Sequence, residues 1–131
     1  MKIRLLLCAL VLSWSCPAWA AAPGEKSEMW EGRVLGATFR AGVCYNARGK
    51  ARGVLLLTHA SGQTDTYHLD GSLSGGKFEL RHGSGHVFSG SLDSSTTMRG
   101  KVKLANGLRL SLKGRRVFGR RLAADCAPLA K

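Results

Sequence analysis

The stretch Met98-Arg99-Gly100-Lys101-Val102-Lys103-Leu104-Ala105-Asn106-Gly107-Leu108-Arg109-Leu110-Ser111-Leu112-Lys113 decides the fold. Successive side chains of a strand point to opposite faces. Val102, Leu104, Leu108, Leu110 and Leu112 therefore share one side of a ribbon, and Arg99, Lys101, Lys103, Arg109 and Lys113 the other. The turn sets the register between the two halves. A two-residue Asn106-Gly107 turn would place Leu104 against Arg109 and split the apolar set. A three-residue loop, Ala105-Asn106-Gly107 with Gly107 left-handed, pairs Leu104 with Leu108, Val102 with Leu110, Lys103 with Arg109 and Arg99 with Lys113. Like charges directly opposed in a sheet are mildly destabilising, so this cationic face asks for an explanation.

The same parity carries upstream. Gly75-Gly76 as a two-residue turn pairs Leu73 with Phe78, Gly71 with Leu80 and Leu69 with His82. Gly83-Ser84-Gly85 as a three-residue loop pairs His82 with His86 and Leu80 with Phe88. A wider loop over Asp93–Thr97 brings Leu92 opposite Met98 and Gly90 opposite Gly100. Four turns chosen separately agree on one continuous apolar face running from Tyr67 to Leu112 and including Leu104 and Leu108.

Nearer the N-terminus, strands are expected over about Glu28–Gly36, Thr38–Tyr45, Arg52–His59 and Thr64–Leu73, with turns at Asn46–Gly49 and Ser61-Gly62. Val54-Leu55-Leu56-Leu57 is apolar on both faces, so a neighbour covers its outer side or it forms part of an interface. The last strand is expected to end within Arg115–Leu122. The fold class is thus all-β: a small up-and-down antiparallel meander of about eight strands, a closed or nearly closed barrel, with a two-sheet sandwich as the alternative. Gly71, Gly90 and Gly100 on the inward face let a small barrel coil tightly, and the size of the other inward residues favours a filled interior.

Lys2 and Arg4, an apolar run from Leu5 to about Ser15 and Ala18-Trp19-Ala20 compose a signal peptide cleaved after Ala20, residues 1–20. Trp14 close before Cys16 fits poorly with a small-residue lipoprotein box. A short leader, 21–27, would precede a single domain over 28–131, exported to the periplasm or medium, with no transmembrane segment. In an oxidising compartment the remaining pair, Cys44 and Cys126, reads as a disulfide. Removing Lys2 and Arg4 lowers the net charge from +12 to +10. Charge of this size bears on partners and solubility rather than on fold.

Motifs for catalysis are missing: no G-x-S-x-G elbow, C-x-x-C pair, H-E-x-x-H or phosphate loop, and no evident carboxylate pair. The reading is of a non-enzymatic chain without cofactor. His82 and His86, as cross-strand partners with β-carbons about 5 Å apart, are candidate metal ligands that lack a third donor, for which His59 or Asp65 would have to serve. The simpler reading makes them rim histidines.

The basic face carries more. Nine lysines and arginines and no acids lie between Ser94 and Ala124. Arg99, Lys101, Lys103, Arg109 and Lys113 share a face that Arg115 continues, with Arg120 and Arg121 beyond. Such a wall either keeps the protein soluble or binds anions. The face has no aromatic residues to stack on bases, which with the export signal argues against nucleic acid. The expected partner is an anionic envelope component: lipopolysaccharide, phospholipid or acidic glycan. The alternative is an exported protein, contacted through Arg48–Arg52, His82–His86 or the apolar outer side of Leu55–Leu57 as inhibitor or accessory subunit. The architecture resembles small exported disulfide-bearing barrels, such as bacterial lysozyme or protease inhibitors and avidin-like binders, on no matched residues. Lysozyme targets are usually basic and would repel a chain of this charge.

Overall fold

A computed structural model describes residues 24–119 and Cys126. The eight strands are β1 (Lys26–Val34), β2 (Ala37–Tyr45), β3 (Lys50–Thr58), β4 (Thr64–Ser74), β5 (Lys77–Arg81), β6 (Val87–Leu92), β7 (Thr97–Lys103) and β8 (Arg109–Val117). Each pairs antiparallel with the next, and β8 pairs back onto β1, so the sheet is a closed barrel rather than a sandwich. The signal peptide and most of the C-terminal tail expected from the sequence lie outside the described residues.

Short loops built on glycine set the hairpin registers. In the β7–β8 hairpin, the Gly107 amide donates to Leu104 O at 2.9 Å and the Leu104 amide to Leu108 O at 2.8 Å, with Gly107 at φ 89°. This is the three-residue loop, and it sets Lys103 across from Arg109 and Arg99 across from Lys113. The β5–β6 loop repeats it around Gly85 (φ 97°), where the His82 amide bonds His86 O. Gly75-Gly76 is the two-residue turn that sets Leu73 against Phe78, although β4–β5 pairing ends at Asp70–Arg81, short of Leu69–His82.

Both ends of β1 differ from the sequence expectation. Strand β1 begins at Lys26, inside the expected leader, and stops at Val34, because Leu35-Gly36 is a two-residue turn with both residues at positive φ (30° and 72°). A leucine in that conformation is unusual, which is why the turn escapes a reading based on composition. The last strand stops at Val117, within the expected Arg115–Leu122.

Following the pairs once around the barrel returns to β1 displaced by ten residues, with no bulge in any of the eight registers. Eight strands with that stagger tilt by roughly 40–45° and enclose an interior that side chains fill. Trp30, Phe39, Leu55, Leu69, Phe88 and Leu112 are among the buried residues there. Two apolar pockets of about 50 Å³ remain, each with room for only a water or two and little polar lining to hold one. Leu108 departs from the expected inner face. It is 53 % exposed, because the hairpin tip extends past the last enclosed pair.

The apolar run in β3 resolves into two layers. Leu55 and Leu57 point into the barrel, and Val54 and Leu56 point out. Val54 is fully buried nonetheless, in a row that runs Val117–Met29–Gly42–Val54 across β8, β1, β2 and β3. On this same outer side Cys44 is bonded to Cys126, with Cα atoms 5.8 Å apart. The bridge spans 82 residues of sequence. Constraining the unfolded chain over that length is worth roughly 4 kcal/mol.

Two inward glycine pairs permit the tight coiling: Gly32 faces Gly114 and Gly90 faces Gly100. A β-carbon on Gly90 would strike the Arg99 carbonyl and come within 2.8 Å of the Phe78 ring. Gly90→Ala should therefore destabilise the barrel by about 2–3 kcal/mol, whereas Gly83→Ala, which meets no atom within 4 Å, should change stability by less than about 0.5 kcal/mol. Urea denaturation of both variants checks the contrast. Equal stabilities would contradict the packing described.

Candidate functional site

Parity decides the outer wall. Inward residues of β7 and β8 are Met98, Gly100, Val102, Leu110, Leu112 and Gly114, so the intervening cations must face solvent. Arg99, Lys101, Lys103, Arg109, Lys113 and Arg115 are all exposed on that wall. Barrel closure extends it beyond the hairpin. Arg33 on β1 lies directly across from Lys113, and Lys113 across from Arg99. The row then continues through Ser91 to Lys77. Five adjacent strands thus carry one cross-strand row of four cations and one serine.

Acids from elsewhere in the chain neutralise part of the wall. Asp93, in the β6–β7 loop, accepts from Arg99 Nε at 2.8 Å. Glu31 Oε1, on β1, accepts from Arg115 Nε at 3.0 Å and Nη2 at 2.8 Å. Lys101, Lys103, Arg109 and Lys113 have no carboxylate partner among the described residues. Arg33 and Arg40 join the wall although hairpin reasoning did not place them there, because only the β1–β8 seam brings β1 beside β8. Arg120 and Arg121 lie outside the described residues.

One mouth of the barrel holds aromatic and histidine side chains. The Tyr67 ring meets His82 edge-on at 5.1 Å and His86 at 5.9 Å, and the two imidazoles stack at 6.1 Å. The Ser84 amide donates to His82 Nδ1 at 3.2 Å, and the Ala105 amide donates to His86 Nδ1 at 3.2 Å. An acceptor Nδ1 assigns the proton of the neutral ring to Nε2. Binding a metal through Nε2 would need the opposite tautomer and would break both hydrogen bonds. The suggested third donors are engaged with each other: His59 Nε2 lies 2.7 Å from Asp65 Oδ2, and Gln63 donates to Oδ1 at 3.2 Å. The His59 hydrogen bond holds the Asp65 carboxyl below its usual range. Among the described residues no group of three His, Cys, Asp or Glu is placed to hold a metal ion.

The opposite mouth is closed by a polar cluster that the sequence reading did not find. Glu28 points inward and accepts from Trp30 Nε1 at 3.1 Å and from the Tyr45 hydroxyl at 2.8 Å. Arg116 lies 3.6 Å from the same carboxylate and places its guanidinium 4.8 Å from the centre of the Phe118 ring. Each polar group entering the core end is thereby satisfied, as a low-dielectric interior demands. The alternation of β1 placed Glu28 on the inward side with Trp30, and that was the available signal.

Compared with known proteins, the chain matches no family model, no curated protein and no solved structure.

Both tyrosines are held neutral by their surroundings. Burial, then the hydrogen bond to Glu28, raises the Tyr45 phenol; burial, then the Asp65 carboxylate, raises that of Tyr67. A phenol with a higher pKa folded than unfolded contributes stability that is complete below the unfolded value, near 10, and is lost as pH rises through the folded one. Ultraviolet titration of the folded protein should show no phenolate with the ordinary midpoint, and the denatured chain should show both. Tyr45→Phe should remove one of the two displaced transitions.

Proposed function

We propose that this protein is an exported, non-enzymatic binding module that docks on an anionic envelope component, whether lipopolysaccharide, phospholipid or acidic glycan, through the outer wall of β7 and β8. The observation that carries this reading is the opposition of like charges, Lys103 to Arg109 and Arg33 to Lys113 to Arg99, on a wall with too few acids to balance it. Directly opposed like charges weaken a sheet by a few tenths of a kcal/mol per pair. An anionic surface turns that cost into attraction, at about 1 kcal/mol per cation near the surface. The N-terminal signal and the Cys44–Cys126 bridge both suit an oxidising compartment outside the cytoplasm.

A second reading, docking on an exported protein through loops, is favoured by the leucines at two loop tips. Leu35 is 77 % exposed and Leu108 53 %, at the end of the barrel that carries His82 and His86. The strip of Val54 and Leu56 is a poorer surface for it, since Val54 is fully buried.

Vesicles containing anionic lipid, and purified lipopolysaccharide, should bind the protein at low salt and release it steeply as salt rises. Reversal of Lys103 and Arg109 to Glu should weaken binding on the order of a hundredfold or more. Binding that survives the double reversal overturns the proposal. Loss of binding on Leu35→Ala or Leu108→Ala, with the wall intact, would favour the loop reading.

A further inference from the structure

Across the β8–β1–β2 seam the outer wall sinks into an open depression of about 670 Å³, lined by Glu31, Arg33, Thr38, Arg40, Lys113 and Arg115 over a floor of Gly32, Phe39 and Gly114. These six side chains form two adjacent cross-strand rows on three strands. One row runs Thr38–Arg33–Lys113 and the other Arg40–Glu31–Arg115. Directly opposed residues in such an array have β-carbons about 5 Å apart, and diagonal ones about 7–8 Å. Arg33 stands directly across from Lys113 and diagonal to Arg40, so these three long side chains can reach a common point above the floor, with the short Thr38 beside Arg33.

The charges in this array do not balance. Glu31 gives its Oε1 to both Nε and Nη2 of Arg115, so that carboxylate is already neutralised. Arg33, Arg40 and Lys113 are exposed and have no carboxylate partner among the described residues. Three positive charges and the Thr38 hydroxyl thus surround one hollow. A carboxylate or a phosphodiester brings a single negative charge. A phosphomonoester brings close to two near neutral pH, and three terminal oxygens that guanidinium forks grip in pairs.

We infer that this depression is a binding site for a phosphomonoester group, such as that of a sugar phosphate or a lipid headgroup, held by Arg33, Arg40 and Lys113. The inference rests on the anionic-surface reading above and refines it. The wall supplies long-range attraction that any anion satisfies, and the depression distinguishes one anion from another.

The test uses the intact protein with three probes: glucose 1-phosphate in solution, vesicles containing phosphatidic acid, a monoester, and vesicles with phosphatidylglycerol, a diester, at matched surface charge. The monoester vesicles should bind at least tenfold tighter than the diester vesicles. Arg33→Gln combined with Arg40→Gln should erase that preference, while diester binding weakens roughly thirtyfold through the loss of two wall cations and stays salt-sensitive. Lys113→Gln should reduce the preference, and Lys50→Gln, on β3 outside the array, should not. Saturable binding of glucose 1-phosphate without any vesicle preference would identify a soluble ligand for the same site, and preference in the vesicle arm a headgroup. Equal binding of the two vesicle types with no uptake of glucose 1-phosphate overturns the inference, as does a preference that persists in the Arg33/Arg40 variant. Diester binding that survives the Lys103/Arg109 reversal counts against the wall alone and leaves the monoester preference as a separate readout.

Discussion

The pairing of β1 with β8, from Met29–Val117 to Val34–Leu112, is the interaction on which the rest of the molecule depends. Without it the meander would end in two strands with unpaired amides and carbonyls, an open invitation to pair with other chains. With it the sheet has no edge, and its register together with those of the seven hairpins fixes the ten-residue stagger. Gly32 and Gly114 face each other across this seam, and a β-carbon on Gly32 would collide with the Lys113 carbonyl. Closure at this register therefore requires that Gly32 lack a side chain.

Much of this was legible in the chain because hairpin register is a local matter. Gly83-Ser84-Gly85 and Ala105-Asn106-Gly107 place one glycine where a left-handed residue is needed, and the apolar residues on either side fall into phase. The seam was not legible, since no turn joins β8 to β1 and nothing near Val34 points to Leu112. Arg33 and Arg40 therefore stayed out of the predicted basic face, and so did Glu31, which neutralises Arg115. Leu35-Gly36 falls inside the expected first strand because leucine gives no sign of a turn. Glu28 was overlooked for a different reason. A carboxylate inside a barrel is expensive by itself, and its partners, Tyr45 and Arg116, lie far from it in the chain.

The two faces of the sheet obey different rules. Inside, volume decides: a ring too many meets a neighbour, and glycines stand opposite glycines to make room. Outside, nothing in the packing selects the sign of a charge, so the concentration of cations on β7, β8 and β1 is not a by-product of folding. Alternation only guarantees that whatever polar residues these strands carry will be displayed together. A stretch of eight or nine residues with every second position basic becomes a wall as soon as the intervening positions are apolar.

Seven of the eight strand pairings join neighbours in sequence and can form as hairpins grow, while the β1–β8 pairing brings together the two ends of the meander. Loop-closure entropy makes that contact the costliest to nucleate and so the last expected to assemble. The proposed phosphomonoester site is built astride this same seam, with Arg33 on one side and Lys113 on the other. A ligand held there is attached to the closed barrel and to no earlier form of the chain, so its binding energy adds to the stability of the closure itself. In that sense occupancy of the hollow would act as a clasp: a chain that has met its ligand unzips more slowly at the join that forms last.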